Sequence, residues 1–333
     1  MTLNPAIIAL VSGSLLLSFF AVYASYFGIK IIRRWNIASG SDLQLSLERK
    51  TYLISTILAY LMVFEVCSFF LFVYTADNLH EMFVGAMCAA GTLNVGVFGY
   101  PTLLSKIMNV LLCGVWLVVN HIDNQGYDYP LIRPKYKLLL LITGSLLLET
   151  YLQASYFGGI RPDVITSCCG ALFSEDQASL AGELAGIPVG AGKVLLFVSL
   201  YFIIRIGLQF LLTDSGAIYF AGLSSWFFVF SAIALISFIS VYYYELPTHH
   251  CPFCLLQSNY HYIGYAFYIS SLTGGIMGIS VGMLNRYVAI PSLRDKIPRV
   301  QKKLCLGSMI SYLIFSASAV YPMIFSDFQL AGY

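Results

Sequence analysis

Apolar residues run along this chain in eight long blocks separated by short polar breaks. The blocks lie near residues 6–29, 52–75, 101–120, 138–157, 191–212, 217–244, 255–284 and 304–325. A helix needs roughly 20 mostly apolar residues to cross a bilayer core, and each block reaches that length. A helix satisfies its own backbone polar groups, so the pattern predicts helices in lipid. A membrane β-barrel would instead show alternating segments of about ten residues, and none is present. The expected fold class is therefore an all-α integral membrane protein, a polytopic bundle of eight transmembrane helices forming one domain over residues 1–333. The first block has no Lys or Arg before it. It is also longer than the apolar part of a signal peptide, about 7–15 residues, so it is read as a retained first span.

Composition agrees. Hydrophobic residues make up 59% of the 333 residues and charged residues 10%, against about 45–50% and about 25% in soluble domains. That excludes a disordered chain. A net charge of +2 with no basic stripe excludes a nucleic-acid partner.

The few charges are unevenly placed. The loop after span 1 holds Lys30, Arg33, Arg34, Arg49 and Lys50. The loop after span 3 holds Arg133, Lys135 and Lys137. The loop after span 7 holds Arg286, Arg294, Lys296, Arg299, Lys302 and Lys303. Fourteen of the 18 Lys and Arg residues thus fall on one side. The positive-inside rule makes that side cytoplasmic and puts both termini outside. Only Thr213-Asp-Ser-Gly216 separates spans 5 and 6, which predicts a tight helical hairpin.

The cysteines follow the same geography. Cys67, Cys113 and Cys305 fall inside spans 2, 3 and 8 and read as small packing residues. Cys88, Cys168, Cys169, Cys251 and Cys254 fall in the loops after spans 2, 4 and 6, all on the outer side. In a bacterium that side is the periplasm, which favours disulfides. Five is an odd number, so structural pairing alone leaves one thiol over.

The most specific segment is Glu245-Leu-Pro-Thr-His-His-Cys-Pro-Phe-Cys254. Pro252 suits a first helical turn. Span 7 is therefore expected to start here, with Cys251 at its N-cap, where the helix end stabilises a thiolate. His249 and His250 add positive charge if protonated. Continued helix places Cys251, Cys254, Ser258, His261 and Tyr265 on one face. The same stretch offers a metal set of His249, His250, Cys251 and Cys254, suited to copper or zinc. Adjacent Cys168 and Cys169 permit a strained, easily reduced bond, or a disulfide from one of them to Cys88. Cys88 sits in a small-residue stretch, 83–94, too short to span, expected to fold as a half-helix that puts the thiol in a pocket.

Cys251-Pro-Phe-Cys254 resembles the Cys-Pro-aromatic-Cys motif of glutaredoxins. Its place at the outer end of a membrane helix, with further cysteines in neighbouring loops, resembles the vitamin K epoxide reductase type of quinone-linked membrane oxidoreductase. That resemblance implies exchange between the Cys-x-x-Cys pair and loop cysteines, with a quinone as electron partner.

Within the spans, Glu65, Glu149 and Arg205 are costly in lipid and should face the interior. They are read either as an ion pair between Arg205 and a glutamate, or as a proton path or quinone site. Lys106 and Asn109 either join that interior or, for Lys106, snorkel outward. Gly274, Gly278 and Gly282 form a small-residue seam. Tyr242, Tyr243 and Tyr244 read as an interfacial aromatic belt.

Three functions remain open. One is a thiol–disulfide oxidoreductase of the bacterial inner membrane acting at the periplasmic face. Its redox pair is Cys251 and Cys254, its relay thiols Cys168, Cys169 and Cys88, and its tuning groups His250 or His261 (or His249). Its partner is a quinone or a periplasmic thioredoxin-like protein. The second is a handler or transporter of a soft metal or small sulfur compound. The third is a non-catalytic subunit held by other membrane subunits, with disulfide-stapled outer loops.

Overall fold

A computed structural model describes residues 4–37, 39–161, 164–166, 180–326 and 328. It is helical, with no strand among the described residues. Eight helices are long and apolar enough to cross a membrane. They are α1 (Pro5–Arg34), α2 (Asp42–Asn78), α3 (Gly99–Asp123), α4 (Ile132–Gly159), α5 (Val189–Thr213), α6 (Ala217–Tyr244), α7 (Ile263–Asn285) and α8 (Lys296–Phe325). They coincide with the eight apolar blocks, except that α7 begins at Ile263, eight residues later than its block. Asn4 opens α1 by accepting the Ala6 N–H at 2.9 Å, with Pro5 in the first turn. The α5–α6 hairpin closes on Asp214 and Gly216, both with positive φ.

The chain divides into two compact units. The first comprises Met1–Thr75, Gly96–Ile160 and Arg286–Arg299. Here α1 and α3 both pack on α4. Leu17, Phe27, Leu58, Trp116, Tyr136 and Leu139 are among its buried core residues. Along the α1–α4 contact the apolar surface is interrupted by hydroxyl and amide rungs. Ser18 meets Thr150 at 2.7 Å and Ser25 meets Thr143 at 2.7 Å. Gln153 donates to Ser14 Oγ at 2.9 Å and to the Leu10 carbonyl at 3.0 Å. Between lipid-facing helices apolar burial supplies little driving force, and such bonds together with close packing hold the pair. Lys135, read above as a loop charge, lies inside α4 and is buried against Asp123 at 2.6 Å. An ammonium cannot stay buried without a counter-charge, so the two travel together.

The second unit comprises Ala76–Val95, Arg161–Asn285 and Val300–Tyr333. Here α5 and α7 both pack on α6. The glycine seam of α7 is a close-packed contact. A Cβ on Gly274 would sit 2.6 Å from the Tyr312 ring, one on Gly278 2.0 Å from Ser224 Oγ, and one on Gly282 2.4 Å from the Ala221 Cβ. Freed space is used for hydrogen bonds between helices. Tyr312 donates to the Ser224 carbonyl at 2.7 Å, and Ser308 to the Gly274 carbonyl at 2.8 Å. Within α6, the turn Leu235–Ile239 widens to a π-helix.

Gly278→Val should lower stability by about 1–3 kcal/mol, because the overpacked seam has no slack. Gly222→Ala, with open space around its added methyl, should not lower it. Thermal unfolding in detergent checks both, and a Gly278→Val midpoint equal to wild type would contradict the seam.

Candidate functional site

Three cysteines from two loops meet in the second unit. Cys88 Sγ lies 3.5 Å from Cys251 Sγ, and the sulfurs of Cys88, Cys251 and Cys254 all lie within 4.8 Å of one another. Cys88 and Cys251 are 0% exposed and Cys254 4%. A disulfide bond is about 2.05 Å long, so the 3.5 Å between Cys88 and Cys251 is a contact between sulfurs and not a bond.

Cys88 is placed by the loop after α2. It stands just before the short helix Ala89–Leu93, its carbonyl accepting the Gly91 N–H at 3.1 Å. Gly85 turns this loop with φ +91, and a Cβ there would lie 2.2 Å from the Thr166 carbonyl oxygen. Thr166 in turn donates its N–H to Val84 O at 3.1 Å and its hydroxyl to Gly91 O at 3.0 Å. The loops after α2 and α4 are thereby stitched together. Cys168 and Cys169 lie outside the described residues, and Thr166 is the last described residue before them.

Cys251 and Cys254 are not on a helix face. The chain after Cys251 makes two 3-10 turns, Cys254–Leu256 and Ser258–Tyr260, and α7 starts only at Ile263. Gly264 explains the detour. Its missing side chain lets the Leu255 carbonyl carbon come within 2.9 Å of where a Cβ would be. The turn that holds Cys254 therefore lies against the first turn of α7. Tyr268, one turn further along α7, donates its hydroxyl to the Pro252 carbonyl at 2.9 Å. The expected N-cap role of Cys251 and the shared face with Ser258, His261 and Tyr265 are corrected accordingly. His261 is an exposed residue with φ +52, outside the thiol cluster.

The other histidines also have different roles from those expected. His250 is buried and its Nδ1 lies 3.0 Å from the Ile236 carbonyl and 3.2 Å from the Ser237 carbonyl. Those carbonyls belong to the π-turn of α6, where the usual helical pairing is interrupted. His249 packs its ring on Tyr244, centroids 4.4 Å apart. The His249, His250, Cys251 and Cys254 metal set is therefore not assembled. Among the described residues the cluster of potential ligands is Cys88, Cys251 and Cys254.

Residues that sequence reasoning missed complete the site. The Asp77 carboxylate at the end of α2 accepts the Ala89 N–H at 3.0 Å and the Gln257 amide at 3.4 Å. Gln257 also donates to the Met87 carbonyl at 2.8 Å. Asp77 and Gln257 thus join the Cys88 loop to the segment that follows Cys254. Tyr244, read as part of an aromatic belt, is buried and donates its hydroxyl to the Cys251 carbonyl at 2.6 Å. The Tyr260 ring packs on it at 4.6 Å. Burial, and then the neighbouring Cys254, raise the Tyr260 hydroxyl above its ordinary pKa. Three thiols so placed can pair in more than one way, and all are shielded from bulk oxidants.

Lys106, Glu65 and Glu149 of the first unit form a second buried cluster. Glu149 takes Lys106 at 2.6 Å through one oxygen and the Asn109 amide at 2.5 Å through the other. Glu65 faces the same ammonium at 3.5 Å, and Ser68 Oγ accepts from it at 3.1 Å. Lys106, Asn109 and Glu65 are 0% exposed and Glu149 1%. The glutamates' partner is therefore Lys106, which does not snorkel, and not Arg205, whose side chain on α5 is exposed. The expected ion pair between Arg205 and a glutamate is corrected on that ground. Cys67 is exposed, whereas Cys113 and Cys305 are buried as expected for packing.

Comparison with protein-family models, with curated protein sequences and with solved structures found no match to this chain.

Lys106→Met should destabilise the protein by about 3–5 kcal/mol, because it strands buried carboxylates. Adding Glu65→Gln and Glu149→Gln to Lys106→Met should recover most of the loss. Retention of the monodisperse species after stepped heating checks this; equal stability of the single and triple variants would contradict the assigned pairing.

Proposed function

We propose that the chain is a multi-pass protein of a bacterial inner membrane, both termini outside, that carries out thiol–disulfide exchange at its periplasmic face. Cys251 and Cys254 are the redox pair and Cys88 the resolving thiol. The observation that carries this reading is the third sulfur, 3.5 Å from Cys251 with Cys254 inside the same 4.8 Å span. A dithiol used only as a staple has no need of a third thiol in contact with it.

Cys251 and Cys254 lose two electrons and two protons as their S–S bond forms. The acceptor is either the disulfide of a thioredoxin-like periplasmic partner, which becomes a dithiol, or a quinone, which becomes a quinol. Once that bond has formed, a thiolate of Cys88 attacks one of its sulfurs and expels the other as a thiolate. The bond moves without net oxidation. Cys168 and Cys169 are the onward relay, with Thr166 tying the start of their loop to that of Cys88. The likeness of Cys-Pro-Phe-Cys to quinone-linked oxidoreductases of the vitamin K epoxide reductase type supports the same chemistry. The charge bias of the loops supports the sidedness.

In membranes, wild-type protein treated with oxidant or reductant and then a bulky maleimide should show a two-thiol mobility difference. Cys254→Ala should accumulate a disulfide-linked adduct with its partner. Asn259→Cys, at an exposed site in the Cys254–Tyr262 segment, should be labelled by a membrane-impermeant reagent from the periplasmic side. Absence of any redox-dependent shift would overturn the exchange reading; labelling only after lysis would overturn the sidedness.

A further inference from the structure

The geometry points to a binding site for one exchangeable proton in the first unit: Glu65 and Glu149 hold it between them, with Lys106 as their shared counter-charge. This site lies among the buried charges of α2, α3 and α4 and is independent of the thiol chemistry.

Two carboxylates face one ammonium, which leaves one negative charge in excess. Glu65 and Lys106 are 0% exposed and Glu149 1%. A buried charge without a counter-charge neutralises by proton transfer rather than staying ionised. The two carboxylate oxygens flank the same Nζ at 3.5 and 2.6 Å, so they lie no more than about 6 Å apart. Like charges that close in a buried site do not both persist. The Cys113 thiol of α3 lies near both carboxylates and supplies no positive charge. Phe72 of α2 covers the ammonium, its ring centroid 5.7 Å from Nζ.

Hydrogen bonding leads independently to the same deficit. Glu149 is served at both oxygens, by Lys106 at 2.6 Å and by the Asn109 amide at 2.5 Å. Glu65 is not. Neither of its carboxylate oxygens completes a hydrogen bond, and Asn109 Oδ1 is likewise buried without a donor. Ser68, beside the ammonium, directs its own proton to the Glu65 backbone carbonyl at 3.0 Å. Three buried acceptor oxygens thus lack a hydrogen, and a proton on Glu65 turns one of them into a donor. A hard metal ion such as Ca(II) takes about 6–8 oxygens, more than are open here. The unequal distances fit a proton held on Glu65, with Lys106 drawn to the charged Glu149. Moving that proton to Glu149 breaks one O–H bond, makes another and hands the ammonium to Glu65; the proton comes from water and returns to it. Carboxylates inside membrane helices mark such proton relays.

The test is infrared spectroscopy of the full-length protein at neutral pH in an alkyl maltoside detergent, which has no carbonyl of its own. The difference spectrum of wild type minus Glu65→Gln should contain the carbonyl stretch of a protonated carboxylic acid, and prolonged exchange into D2O should shift it. Wild type minus Glu149→Gln should contain the same band, because Glu65 and Lys106 then pair one to one and the proton is lost. Both replacements keep the shape of the side chain, and size-exclusion elution checks that each variant is folded. An ordinary structural ion pair predicts no band in either difference. A missing band in either one, or a band that does not shift in D2O, would overturn the site. So would loss of the wild-type band when choline chloride is replaced by sodium chloride, since a metal ion would then be the ligand. No readout here involves a cysteine, so this site and the exchange reaction fail separately.

Discussion

One carboxylate holds the sulfur site together. Asp77 sits at the end of α2 and accepts from the backbone beside Cys88 and from Gln257, three residues past Cys254. A hydrogen bond to a charged group contributes about 1.5–3 kcal/mol net, enough to hold one loop conformation among several. Gln257 doubles the tie through the Met87 carbonyl, and Gly85 lets Thr166 add a third strap. These bonds are directional, whereas apolar surface alone is non-directional and would not set a sulfur–sulfur distance.

The two units solve the problem of packing apolar helices differently. In the first, Ser, Thr and Gln rungs cross between α1 and α4, and a buried ammonium on α3 joins α2 and α4 through Glu65 and Glu149, with Asn109 of α3 also donating to Glu149. In the second, glycines at a four-residue repeat admit the partner helices, and hydroxyls bond to the exposed carbonyls. This second, close-packed seam belongs to the unit that carries the sulfur cluster. Rigid elements under a site hold its geometry better than loops alone.

Much of the fold was legible because length and hydropathy are local signals. All eight helices lie where the apolar blocks predict them. The start of α7 was misplaced because Pro252 fits a first helical turn as well as it fits the 3-10 entry; Gly264, which permits the detour, reads in sequence as one more small residue. The Cys-Pro-Phe-Cys pair was visible as a motif. Its contact with Cys88 spans 163 residues of sequence, and no periodicity reports such a contact. Asp77 and Gln257 carry no motif at all. Tyr244 was hidden in a run of three tyrosines whose interfacial placement accounted for it without a site. The ion-pair partner expected for a glutamate was Arg205, with Lys106 only sharing the polar interior or snorkelling, since spacing along separate helices does not fix which faces meet.

The sulfur contact is most directly tested with a protein whose only cysteines are Cys88 and Cys251, the others replaced by serine. It would be mildly oxidised in membranes and mapped by non-reducing peptide analysis. Sulfurs 3.5 Å apart should give an intramolecular disulfide in nearly every chain. A thiol pair that stays reduced, or that crosslinks only between chains, would contradict the cluster on which the functional reading rests.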